Sequence, residues 1–206
     1  VYCESGAMVA MSAGIIARGA IEGGLMRSTL RNALGEESFF MSKYKAEVTG
    51  AWVALSPRYP GDIYIADLSR SEGMIFQSGS LLGHSENINI DLKYSGIRNA
   101  LLKEGLFSLK AFGDGLVMVA SYGGIEEINL EVGEELIVDT GHLVAWPPSS
   151  IIQVGPLGGY ISQGFTGEGI VAKITAQENC KVLIQTRAEQ SLQSWLFPNR
   201  SENSGV

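Results

Sequence analysis

The sequence predicts an all-β protein built from three tandem copies of one β-rich unit, with a few short helical turns. Three observations carry this expectation. Apolar runs are short and strand-sized, as in Leu116–Ala120, and are rich in β-branched residues. The composition sets 26 glycines against only 18% charged residues and 6 prolines, as expected of many short strands joined by tight turns. A glycine-centred motif occurs three times, at Val1–Ala10, Ile75–Leu82 and Ile137–Ala145, and such self-similarity takes precedence over local pattern in deciding an architecture.

The shared motif is an apolar pair, an acid or amide, Ser or Thr, Gly, any residue, then two or three apolar residues. Its centres are Glu4-Ser5-Gly6, Gln77-Ser78-Gly79 and Asp139-Thr140-Gly141. The hydroxyls Ser5, Ser78 and Thr140 read as bonding backbone in a turn. Gly6, Gly79 and Gly141 read as structural turn residues that supply a positive φ or allow close backbone approach. A second element, Arg31–Phe40, lines up without a gap on Arg98–Phe107, and a weaker third copy runs Gly167–Ala172. The period of roughly 65 residues suits a small β subdomain and is too long for a solenoid repeat. This alignment makes Glu37, Glu104 and Glu168 equivalent. The structural reading is a carboxylate bonding strand-end amides; the alternative is a threefold acidic ring for a cation.

A third element precedes the motif twice, at Pro60–Ile63 and Val132–Leu136. Its first copy is expected upstream of Val1, as the hairpin partner of the first motif strand, since an unpaired sheet edge is something natural proteins avoid. The expected organisation is one triplicated β domain over residues 1–187, with repeats at about 1–55, 56–120 and 121–187, and a C-terminal tail over 188–206. Ala51–Leu55, Leu116–Ala120 and Lys181–Gln185 read as strands, and Ile125–Leu130 as a strand that buries Ile128 and Leu130. Gly113-Asp114-Gly115 reads as a hairpin turn, because it lacks the strand, turn and helix context of a dinucleotide fingerprint. Leu25–Leu34 and Ile97–Lys103 place apolar residues at roughly i, i+4 spacing and read as short helical turns.

The formal net charge of −7 argues against a nucleic-acid surface, which needs clustered Lys and Arg. Cys3 and Cys180 lie near opposite ends of the chain and form neither a metal-spaced pair nor a disulfide framework, so a reducing compartment is expected. No run approaches the ~20 apolar residues of a membrane-spanning helix, which suggests a soluble or peripheral protein.

Catalytic chemistry finds no foothold. His84 and His142 fall at non-equivalent places in the repeat, and a metal site would need two further converging ligands. Ser5 and Ser78 lack the elbow, base and oxyanion hole of a nucleophile. Glu126, Glu127, Glu131, Glu134 and Glu135 read as a solvated face. The expectation is a protein without enzymatic activity, cofactor or metal. Trp195, Leu196 and Phe197 lie in an apolar segment stopped by Pro198, and they are expected to dock onto a neighbouring subunit or a larger complex.

The block from Ala120 through Tyr122-Gly123-Gly124 to Asp139-Thr140-Gly141 and Trp146 resembles the altered-inheritance-of-mitochondria family. Gly6–Val9, Gly35–Phe40 and Pro60–Ile63 fit the same family in the same order. The resemblance covers residues 1 to about 187. It implies a triplicated fold like that of the tryptophan RNA-binding attenuation protein, related to double-stranded β-helix sandwiches, and an oligomer. It also implies a role near mitochondrial inner-membrane organisation without established catalysis. The acidity of the chain argues against carrying over the namesake's RNA binding. The expected role is a scaffold or accessory subunit, peripheral to a membrane complex in a mitochondrion or plastid, or acting in a prokaryotic cytoplasm. The alternative is a small-molecule-binding homo-oligomer that holds its ligand between subdomains or subunits, in a pocket lined by Trp52, Trp146 or nearby tyrosines.

Overall fold

The computed structural model describes residues 1–21, 40–91, 108–156 and 170–197. Leu25–Leu34 and Ile97–Lys103, like Glu37, Glu104 and Glu168, lie outside the described residues. The described chain is nearly all β. The first copy contributes β1 (Tyr2–Glu4), β2 (Met8–Met11), β3 (Ile15–Ile21), β4 (Phe40–Ala46) and β5 (Val53–Leu55). The second contributes β6 (Ile63–Asp67), β7 (Met74–Gln77), β8 (Leu81–His84), β9 (Ile88–Asp91), β10 (Ser108–Gly113) and β11 (Leu116–Ala120). The third contributes β12 (Ile125–Leu130), β13 (Glu135–Asp139), β14 (Leu143–Trp146), β15 (Ile151–Pro156), β16 (Ile170–Thr175) and β17 (Cys180–Gln185), before one helix, α1 (Glu189–Leu196).

The pairings repeat with the sequence. Each motif strand lies beside a long hairpin of its own copy, giving β3-β4-β1, β9-β10-β7 and β15-β16-β13. The strand after each motif lies beside the last strand of its copy, giving β2-β5, β8-β11-β6 and β14-β17-β12. Two pairings cross between copies: β1 joins β8, and β7 joins β14. The result is two six-stranded sheets, β3-β4-β1-β8-β11-β6 and β12-β17-β14-β7-β10-β9, with a separate three-stranded sheet β13-β16-β15 and a two-stranded sheet β2-β5.

Strand period fixes where the core sits. Along β7, Ile75 and Phe76 point to opposite faces of the second sheet, and each enters a different apolar cluster. Phe76 joins Leu81, Leu109, Val117, Val119 and Leu183 between the two six-stranded sheets. Ile75 joins Trp146, Ile174, Val182 and Val138 beneath the three-stranded sheet. A smaller cluster of Ala7, Leu82 and Ala120 holds β2-β5 against the first sheet. The register shifts by one residue at the same place in all three copies, leaving Val9, Leu82 and Val144 as the extra residue of a β-bulge. In β14 the bulge lets two successive residues, Val144 and Ala145, face the same cluster.

Two expectations about neighbours are overturned. Gly113-Asp114-Gly115 does not close a hairpin, because β10 belongs to the second six-stranded sheet and β11 to the first, so the turn carries the chain from one to the other. The element at Pro60–Ile63 leads into β6, which pairs with β11 and not with the motif strand β7. β1 is accordingly flanked on both sides, by β4 and β8. It is β5 that has no second neighbour among the described residues, where β11 has β6 and β17 has β12.

Phe76 is fully buried, opposite Leu109 on one side and Ala145 on the other, so it bridges a pairing within a copy and one between copies. Phe76→Ala should lower the unfolding free energy by about 3–5 kcal/mol in urea denaturation. A loss below about 1 kcal/mol would contradict this packing.

Candidate functional site

The third glycine motif is the most heavily bonded of the three motif turns among the described residues. Asp139 Oδ1 accepts the Gly141 N–H at 2.8 Å, and Thr140 Oγ1 donates to the Ile170 carbonyl at 2.9 Å. Gln77 reaches across from the second copy, its Nε2 donating to the Thr140 carbonyl at 2.5 Å. Gln185 Nε2 donates to the Gly141 carbonyl at 2.9 Å, while its Oε1 accepts the Tyr122 N–H at 2.9 Å. Thr140 thus bonds backbone as the motif suggests, whereas Ser5 is exposed. The three glycines differ. Gly6 has φ +92°, and a Cβ at Gly141 would stand 2.9 Å from Gln190 Oε1 and 3.1 Å from Ala188 Cβ. Gly79 needs neither provision: it sits in a 3₁₀ turn, Ser78–Ser80, with right-handed dihedrals and no described neighbour within 4 Å of a Cβ.

Gly141 matters because α1 begins against it. After β17 the chain is held to the start of β12 by Thr186 N–H to the Gly124 carbonyl at 3.0 Å and Arg187 N–H to the Tyr122 carbonyl at 3.2 Å. The Arg187 guanidinium lies 5.7 Å from the centroid of the Tyr122 ring. Ala188 is buried, and Tyr59 O–H donates to Glu189 Oε1 at 2.5 Å. Glu189 in the first turn suits the positive end of the helix dipole. The far end of the helix behaves oppositely: Trp195, Leu196 and Phe197 are 77%, 50% and 55% exposed. Among the sequence-singled residues, these three are placed together at one projecting tip. The sequence reading missed the helix, although Leu192, Trp195 and Leu196 at i, i+3, i+4 before Pro198 spell one.

The remaining singled-out residues are built into the fabric. His84 is fully buried, stacked on Tyr2 with ring centroids 5.2 Å apart, and its Nδ1 lies 2.8 Å from the Ser85 carbonyl oxygen. His142 Nδ1 lies 2.7 Å from the Gln185 carbonyl oxygen. Among the described residues no group of three or more His, Cys, Asp or Glu is placed to hold a metal ion. Trp146 is inside the core beneath the three-stranded sheet, whereas Trp52 is 55% exposed beside β5, so the two do not line a shared pocket. An open hollow of about 510 Å³ lies instead between Asn129, Glu131, Glu134, Asn179 and Lys181.

The acidic face is exposed and ion-paired, Glu127 with Lys181 at 2.6 Å and Glu135 with Lys173 at 2.8 Å. The hydrogen bond from Lys181 holds the Glu127 carboxyl below its usual range. Such exposed pairs contribute little to stability.

The chain is therefore an antiparallel β protein of three like units, carrying a C-terminal helix fixed at its start and apolar at its end. It belongs to the mitochondrial biogenesis AIM24 family, whose model matches residues 1–187. An uncharacterised protein of Streptococcus pyogenes serotype M6 is 26% identical over 179 residues, covering 83% of this chain and 71% of the relative. A crystal structure of a Streptococcus pyogenes protein shares the fold at a TM-score of 0.71 and 21% identity, over 96% of this chain and 88% of that one.

Burial pushes the Cys3 thiol up to about 11 from an ordinary 9.0. The folded protein then keeps a proton that the unfolded chain releases, so this thiol's contribution is intact below pH 9 and is lost as pH rises towards 11. Cys3→Ala should lose less stability than the parent across that interval in thermal melts. Parallel slopes for the two proteins would mean the thiol is not desolvated.

Proposed function

We propose that this protein is a non-enzymatic scaffold or accessory subunit, peripheral to a membrane-associated assembly, which docks to a partner protein through the projecting end of α1. The observation that carries this reading is the contrast within one short helix. Its first residue is fixed by Tyr59, and Ala188 before it is buried, yet Trp195, Leu196 and Phe197 face solvent together. Covering a large apolar side chain stabilises a complex by about 1.5–3 kcal/mol. Trp is enriched among residues that dominate binding, and a helix with a fixed start presents its apolar end without a large ordering cost.

Membership of a family described by mitochondrial biogenesis supports an organellar role. No helix among the described residues is long and apolar enough to cross a membrane. Tyr59 and Glu189 hold the start of α1, and Arg187 beside the Tyr122 ring holds the chain just before it.

Native electrophoresis of a mild-detergent extract should show the protein in a complex much larger than its own 22.0 kDa. Combined replacement of Trp195, Leu196 and Phe197 by Ala should release it, weakening the association by on the order of a hundredfold while leaving the β circular-dichroism spectrum unchanged. Unaltered co-migration of the variant would overturn the docking role of α1.

A further inference from the structure

We propose that β2 and β13 are two halves of one strand pairing that a second copy of this chain completes. In it, β13 of one copy lies antiparallel to β2 of the other, with Ile137 opposite Met11 and Val138 opposite Ala10.

The pairing pattern sets up the argument. In the first six-stranded sheet, motif strand β1 meets β8 of the next copy with Tyr2 opposite His84 and Cys3 opposite Gly83. In the second, motif strand β7 meets β14 with Ile75 opposite Trp146 and Phe76 opposite Ala145. Aligned on the motif glycines, these are the same register: Tyr2, Ile75 and Ile137 are equivalent, as are Cys3, Phe76 and Val138. On the other strand His84 and Trp146 correspond to Met11, and Gly83 and Ala145 to Ala10. The third instance would join β13 to β2. Among the described residues each is instead the edge strand of its own sheet.

Burial shows what the missing neighbour does. β8 and β14 are buried at all four positions, and β2 is exposed at all four. Val9 is 65% exposed, where its bulge equivalents Leu82 and Val144 are 1% and 0%. The position facing the incoming strand is small in every copy. A Cβ at Gly83 would meet the Tyr2 carbonyl oxygen at 2.6 Å, the third copy has the buried Ala145, and β2 has the exposed Ala10. β2 also has none of the devices that keep an edge from pairing, neither charge nor proline. In the inferred register Asp139 faces Val9 and Leu136 faces Ser12, so no like charges meet.

A second copy is the fitting occupant because the two edges are not paired with each other among the described residues of one chain, while the sequence that matches each edge by repeat is the other edge. Main-chain hydrogen bonds along an exposed edge supply the affinity, and apolar side chains the selectivity. Each copy offers one edge of either kind, so the interface is heterologous, and a closed ring leaves neither open. This goes beyond the docking of α1 and involves none of its residues.

Two single variants test it, Ala10→Cys and Val138→Cys. Residues opposite each other on antiparallel strands fall within the Cα separation a disulfide spans. Mixed and oxidised, the variants should give a covalent dimer on a non-reducing gel, and neither alone should do so. Light scattering of the unmodified protein should give a multiple of 22.0 kDa, and Val9→Lys should return it to 22.0 kDa with its β spectrum kept. Absence of the mixed dimer would overturn the proposal. So would a disulfide formed within one chain when both cysteines are placed in it, which would mean that the edges close on each other. The same experiment with Trp195, Leu196 and Phe197 replaced by Ala separates this from α1 docking, since the cross-link should persist.

Discussion

The antiparallel contact between a motif strand and the strand after the motif in the next copy is what makes this one molecule and not three. Within a copy, the motif strand pairs on one side only, with the long hairpin, and the strand after the motif pairs on one side only, with the last strand. Each half-sheet by itself ends in an exposed edge. Joining β1 to β8 and β7 to β14 buries both edges and places Phe76 and Ile75 at the meeting of two core clusters. The helix obeys the same constraint, since it starts where Gly141 leaves room for Ala188 and Gln190 beside a turn already tied by Gln77 and Gln185.

The strands were legible because their signal is local. Leu116–Ala120 and Ile125–Leu130 are strands at the limits their sequence suggests, and Lys181–Gln185 extends by one residue to Cys180. The glycine motif was legible because three copies share it. What eluded the sequence was the identity of each strand's neighbour. Alternation says which residues share a face, but it is silent on which strand lies alongside, and the default of pairing consecutive strands fails where the chain switches sheets. That is why the turn at Gly113 joins two sheets, and why β6 serves β11 and leaves β7 to others.

The site was legible in part. Trp195, Leu196 and Phe197 stand out in the sequence as apolar residues in a polar tail, yet nothing local reveals that the chain before them is clamped by Tyr59, well over a hundred residues earlier. His84 attracts notice as one of 2 histidines. Its environment is a cross-strand stack on Tyr2, which sequence separation hides. Gly79 shows the limit of reasoning by equivalence: repeated sequence does not force repeated dihedrals, since Gly6 has φ +92° while Gly79 sits in a 3₁₀ turn, and only at Gly141 would a Cβ meet described residues of the helix start.

The joining of copies also bears on how the chain acquires its structure. One of the two neighbours of β1, β8, lies in the following copy, and β7 likewise waits for β14. Most contacts join segments distant in sequence, a topology that folds slowly because loop closure must precede any reward. A nascent first copy has an open edge until the second has emerged, and the second until the third. The unit of folding is accordingly the whole array, and the motif strands are where a chaperone has most to cover.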